Sequence, residues 1–319
     1  MKDIYDQITP DMKPLKVAVV HPVDENSLRG AFEAAAAKLM TPVLVGPKGE
    51  IEKVAAKAHI DISNFEIVST NSDLESAEVA AKLAGEGKVE GLMKGMIHSS
   101  DYMRAIVKKE NNLRTGRRMN GVMVTEDDGY HKRLYHDDPS LNIAPDLVTK
   151  RDSLLNTIEF FRTIEGHQPN VAVLAATEDE DKSQPATGDA VKLKAMGANG
   201  EITGATVAGP FAMDIAISKK SAELKGVFNK AAKAGDAATL KVAGDADILV
   251  YPNLESGNIL FKSRVYMSDA KVGGLVLGAK VPIILTSRSD SAEARKLSAA
   301  LALLSVRKAA PPKTARPNP

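Results

Sequence analysis

Apolar residues in this chain fall into short runs, and between many of the runs they recur every three or four positions. The runs "KVAVVH" (16–21), "TPVLVG" (41–46), "FEIVST" (65–70) and "EGLMKG" (90–95) predict strands in the first half. "NVAVLAA" (170–176), "ADILVYP" (246–252), "GGLVLG" (273–278) and "VPIILTS" (281–287) predict strands in the second. The segments 27–40 and 73–86 carry the one-sided apolar spacing of a surface helix. Alternation of this kind predicts an α/β protein with a parallel or mixed sheet flanked by helices. Pro145 suits the first turn of a long amphipathic helix reaching about Glu165, after which the strand–helix pattern restarts. We therefore expect two α/β domains, residues 1–148 with 282–308 and residues 149–281, and a flexible tail over the proline-rich 309–319.

Charge narrows the partners. The 42 Lys+Arg balance 41 Asp+Glu, which gives no reason to expect nucleic acid. With no cysteine, disulfides, thiolate zinc sites and a cysteine nucleophile are excluded. No apolar stretch approaches the roughly 20 residues of a membrane span. The acidic, polar start lacks an apolar signal core, so the expected compartment is the cytoplasm.

Ligands of such folds bind where strands end and helices begin. In "TSRSDSAEA" the pattern Asp290-x-x-Glu293 reads as a capping box, placing Ser287, Arg288 and Ser289 just ahead of a helix N-terminus. Free N–H groups there favour an anion, and an arginine grips phosphate bidentately; caps and a surface ion pair would use the same residues. In "LMKGMIHSSDYMRA" a strand ends at Lys94, and Lys94, His98, Ser99, Ser100 and Arg104 could all face one oxyanion, although Ser100 or Asp101 would serve equally as a cap. "LESGN" offers Ser256, Gly257 and Asn258 at another turn into a helix. Arg114, Arg117 and Arg118 cluster in "LRTGRRMNG", either to meet a phosphate or nucleotide tail or as a solvated basic loop. The Walker, dinucleotide-binding and hydrolase-elbow patterns are absent, and no histidine has the companions of a metal site, so no metal is expected.

Taken together and in order, "LMKGMIHSSDYMRA", "LRTGRRMNGVMV", "NIAPDL", "ITGATVAGPFAMDIAIS", "AGDADILVYPNLESGNILFK" and "VGGLVLGAKVPIILTSRSDSAEA" resemble the phosphate acetyltransferase/phosphate butyryltransferase family. "TSRSDSAEA" looks like the butyryltransferase branch. The resemblance implies a reaction of acyl-CoA with phosphate giving acyl phosphate and CoA, both as substrates, with no bound cofactor or metal. It also implies an isocitrate/isopropylmalate dehydrogenase-like architecture with the site in the cleft between two domains, and a homo-oligomer, dimer or higher. By the same resemblance Ser287 and Arg288 match the catalytic pair. Arg104 matches a phosphate-binding arginine, with His98, Ser99, Ser100, Gly257 and Asn258 as substrate-binding positions. The family's acid seven residues beyond the serine is Ala294 here, which leaves Asp290 or Glu293 as the available acid or base. Ala208 and the segment 182–187 also depart from the pattern. These departures motivate a second expectation, a phosphate- or CoA-ligand-binding protein that has kept the scaffold and lost catalysis.

Overall fold

A computed structural model describes residues 1–285 and 291–309. Its strands are β1 (Leu15–Val20), β2 (Met40–Gly46), β3 (Glu66–Ser69), β4 (Gly91–Lys94), β5 (Asn120–Glu126) and β6 (Leu134–Asp137). They continue with β7 (Asn170–Leu174), β8 (Thr206–Phe211), β9 (Ile248–Val250), β10 (Lys271–Leu277) and β11 (Ile283–Ile284). All join one sheet in the order β3-β2-β1-β4-β11-β10-β5-β6-β9-β7-β8. The expected mixed α/β architecture is what forms.

Two parallel blocks flank an antiparallel seam. β3, β2, β1, β4 and β11 run parallel, as do β6, β9, β7 and β8. Between them β10 is antiparallel to both β11 and β5, and β5 is antiparallel to β6. The blocks therefore run in opposite directions, and their carboxyl ends reach opposite edges of the sheet. Each of the eight expected strands appears with shifted ends: β3, β4 and β7 are two residues shorter than expected, β2 and β10 are longer, and the runs 246–252 and 281–287 form only Ile248–Val250 and Ile283–Ile284. β5, β6 and β8 were not anticipated.

The helices follow their apolar spacing, with corrections at their ends. Glu25–Ala36 and Asp73–Gly85 begin at Asp24 and Ser72, whose side chains accept from Ser27 and Glu75 N–H. Satisfying an otherwise orphaned first-turn donor is why these residue types start helices. The long helix Leu147–Glu165 starts after Asp146, which accepts from Thr149 N–H at 2.8 Å, so Pro145 lies outside the helix. It stops at Gly166, whose φ of 77° lies in the left-handed region that glycine enters without strain. The last helix, Ala292–Arg307, is capped by Ser291, whose hydroxyl accepts from Ala294 N–H at 3.1 Å. The cap is thus Ser291, one residue beyond the expected Asp290, and with alanine at 294 no capping box forms; Glu293 is simply the helix's second position.

The last helix fills the seam. Gly273 of β10 leaves room for it, since a Cβ there would lie 2.8 Å from Leu297 and 3.0 Å from Leu301. One continuous apolar core contains Val17 and Leu44 of the first block, Leu301 of the last helix and Val171 and Ile248 of the second block.

Candidate active site

β4 ends at Lys94, buried at the sheet edge, with Nζ 3.3 Å from the Gly95 carbonyl. His98 then precedes the helix Ser99–Val107 as its cap residue but supplies no side-chain hydrogen bond. The cap expected at Ser100 or Asp101 is not formed: both serines lie in the first turn, exposed. β11 pairs in parallel with β4, Ile284 opposite Met93, so Leu285 reaches the edge that Lys94 occupies. Ser287, Arg288 and Asp290 lie outside the described residues. From the far side of that segment the last helix sends Arg295 back, buried, with Nη1 3.4 Å from the Lys94 carbonyl. Two buried cations at this edge, Lys94 and Arg295, were not both anticipated. Arg295 carries no local signal because it reads as an ordinary helix-surface arginine.

Ser100 and Arg104 open onto a cavity of about 660 Å³. Its other wall is the arginine segment, Arg114, Arg117 and Arg118, with Asn142 and Asp152 behind it. Arg104 is exposed and bridges Asp101 at 2.7 Å, while Arg114 Nε donates to the Val107 carbonyl at 2.6 Å. Arg117 pairs with Glu159 at 2.8 Å. Four guanidinium groups around one concavity suit a multiply charged anion. Lys94 and His98 do not line this space, so the expected set is only partly gathered around it.

Asn253, not Ser256, caps the helix Leu254–Met267 and accepts from Ser256 N–H at 3.0 Å. Gly257 and Asn258 therefore sit inside the helix instead of in the turn ahead of it. Gly257 lets the helix approach closely, because a Cβ would lie 2.9 Å from Tyr251 Cδ2 and 3.1 Å from Pro139 Cα. Asn258 Nδ2 donates to the Pro139 carbonyl at 3.0 Å. The turn beyond Pro139 supplies Leu141 and Asn142 to the arginine-lined cavity, and Asn142 donates to Asp138. This turn links the two motifs.

Ala294, in the slot where an acid was expected, lines a separate cavity of about 240 Å³ together with Asp269, Lys271, Ser291 and exposed Glu293. Among the described residues no group of three or more His, Asp or Glu is arranged to hold a metal ion.

Comparison with known proteins decides the kinship. The phosphate acetyl/butaryl transferase family model matches residues 71–303. The chain belongs to the phosphate acetyl/butyryltransferase family. It is 42% identical to a phosphate acetyltransferase of Rickettsia prowazekii, over 91% of this chain and 80% of that protein. It is 37% identical to a phosphate butyryltransferase of Clostridium acetobutylicum, over 92% and 93%. Among solved structures it resembles a branched-chain phosphotransacylase from Enterococcus faecalis at a TM-score of 0.77 and 26% identity, covering 92% of this chain and 99% of that one. The relatives are transferases. Among the described residues no helix is long and apolar enough to cross a membrane.

Proposed function

We propose that this protein is a phosphate acyltransferase that moves an acetyl or short-chain acyl group reversibly between coenzyme A and inorganic phosphate. The observation that carries the reading is the cavity bounded by Ser100, Arg104 and the arginine segment, found in a chain of this family. Its size and charge suit the phosphates of a CoA nucleotide. Coenzyme A and phosphate act as substrates, and no bound cofactor or metal takes part.

In this reading Arg288 grips the phosphate dianion and sets it against the thioester carbonyl, where fixing two reactants lowers the barrier by several kcal/mol. Ser287 and neighbouring N–H groups stabilise the oxyanion of the tetrahedral intermediate. Phosphate attacks the carbonyl carbon, the C–S bond breaks, and the thiolate takes a proton as CoA leaves. Phosphate is itself the nucleophile in this direction, so no strong base is needed, and Ala294 is compatible with turnover. Lys94 and Arg295, buried beside the strand ends, add positive potential for the departing thiolate. We place the enzyme in the cytoplasm as a homo-oligomer, for which Ile259 and Met267, 67% and 83% exposed on one helix, are available apolar contacts.

Incubation with acyl-CoAs of increasing chain length, with free thiol followed over time, tests this. Thiol release that requires phosphate is the expected result, and the rates rank the acyl groups. The non-acidic Ala208 and Ala294 favour a second reading, a CoA-ligand binder without turnover. Thermal stabilisation by CoA with no thiol release would select it.

A further inference from the structure

Asp137 closes β6 and is 3% exposed. Three donors converge on its Oδ1: the Asn120 amide at 2.9 Å and the Ser153 and Thr157 hydroxyls at 2.7 Å each. A neutral carbonyl oxygen has two lone pairs, so a third donor on one oxygen is best satisfied by the ionised carboxylate.

The donors belong to the elements that hold the arginine segment. Asn120 opens β5, two residues beyond Arg118. From the helix Leu147–Glu165, Asn156 donates to the Arg118 carbonyl at 2.9 Å and to Asn120 Oδ1 at 3.0 Å. Asp152, on the same helix, accepts from the Arg118 N–H at 3.2 Å. One carboxylate therefore ties the long helix to the foot of the segment that lines the cavity.

No cation pairs with Asp137 among the described residues. Asp138 comes directly after β6 and accepts from the Gly121, Leu141 and Asn142 N–H groups. Asp137 lines a small cavity that Lys150, on the long helix, also lines, but Lys150 bridges to Asp189 at 2.8 Å. From β9's end, Tyr251 also lines it, with its hydroxyl 2.6 Å from His136 Nδ1. Arg264, on the helix Leu254–Met267, pairs with Asp127 at 2.9 Å. Burial and the Arg264 charge push His136 down to about 3, so it stays neutral through the physiological range. Burial, reinforced by the Asp138 charge and opposed by the three donors, lifts the Asp137 carboxyl to about 7.

We infer that Asp137 is a positioning residue for the arginine-lined cavity, its carboxylate fastening segment 114–118 for the phosphates of coenzyme A and its protonation loosening that hold. The ligand named here rests on the acyltransferase reading; the fastening does not. Ionisation also brings a negative charge closer to the arginines, which acts in the opposite sense. The direction of the pH dependence decides between the two.

CoA binding by calorimetry and amide exchange of Arg118 and Asn120, corrected for intrinsic rates, are measured from pH 6 to pH 8.5. The wild-type protein is expected to lose roughly tenfold in CoA affinity on acidification, the worth of one charge-assisted hydrogen bond, together with protection at both amides. Asp137→Asn should bind weakly throughout and lose most of the slope, the remainder coming from the ligand's own phosphate, which titrates near ~6. Ser153→Ala, a milder change, removes one donor and should move the midpoint to higher pH, a shift that a merely structural role does not produce. Affinity that rises on acidification, a wild-type slope retained in Asp137→Asn, or pH-independent protection at Arg118 and Asn120 would overturn the inference. Absence of CoA binding in every variant would count against the acyltransferase reading, and the exchange data would still decide the role of Asp137.

Discussion

Arg288 and Asp137 are both charged and both assigned to anion handling, yet their substitutions should act differently. In the proposed mechanism Arg288 grips the reacting phosphate, so Arg288→Ala should lower turnover by orders of magnitude while thermal unfolding stays near wild type; near wild-type rates would refute that role. Asp137 instead sets a pH term in global stability, opposite in sign to its local hold on the arginine segment, because burial favours the neutral carboxyl while its three donors favour the ionised one. Burial lifts its folded carboxyl to about 7, well above the ~4 of a free aspartate. Between those values the folded chain keeps a proton that the unfolded chain has released. Stability from this group is therefore greatest at low pH, falls as pH rises from about 4 to about 7, and is flat above. Three units correspond to something on the order of 4 kcal/mol. Denaturant titrations across that window should show the fall, and Asp137→Asn should remove it. Neither Asp137 nor Arg295 could be picked from the sequence: each looks like one more polar residue, and its burial is created by strands and helices distant in the chain. Ser100 and Arg104 were legible because they follow a strand-to-helix junction, and Arg114, Arg117 and Arg118 because they cluster in the sequence.

At the scale of elements, the residue types at helix starts and the runs of branched apolar residues told most of the story. The three unanticipated strands each hide behind local chemistry. β5 emerges directly from the arginine segment and continues a polar-looking loop. β6 carries His136 and Asp137, whose burial depends on partners elsewhere, and β8 contains Gly209-Pro210, a dipeptide that reads as a turn. The same limit displaced Gly257 from the turn, where local sequence puts it, into the helix. Gly257→Ala pits two effects against each other. Alanine gains up to about 1 kcal/mol in helix propensity, but its Cβ would press on the Tyr251 ring and the Pro139 backbone at 2.9 and 3.1 Å. Tyr251 is buried and lies 2.6 Å from His136 Nδ1, so it cannot swing aside. Overpacking of this kind costs about 1–3 kcal/mol, so the net expectation is destabilisation, read as a lower denaturant midpoint with the slope unchanged. A higher midpoint would mean that the Pro139 turn yields.

Over the whole molecule, the opposed parallel blocks and the seam between them set how the protein unfolds. The ladder from β11 through β10, β5 and β6 to β9 is unbroken. The last helix packs across it, joining a core that includes Val17 on one side and Ile248 on the other. A chain whose two sheet blocks share one core has no apolar surface along which they can part cheaply, so local damage at the seam should be felt in both. Leu301, fully buried, is the place to test this. Leu301→Ala should cost about 2–5 kcal/mol. If the blocks unfold together, hydrogen exchange in β1 and in β9 should lose that same increment of protection, since both report the one global opening. If β9 keeps its wild-type protection while β1 loses its own, the seam is a boundary between two independently stable units. The shared core argues for the first outcome, and with it for an arginine-lined cavity whose walls are set by one cooperative body.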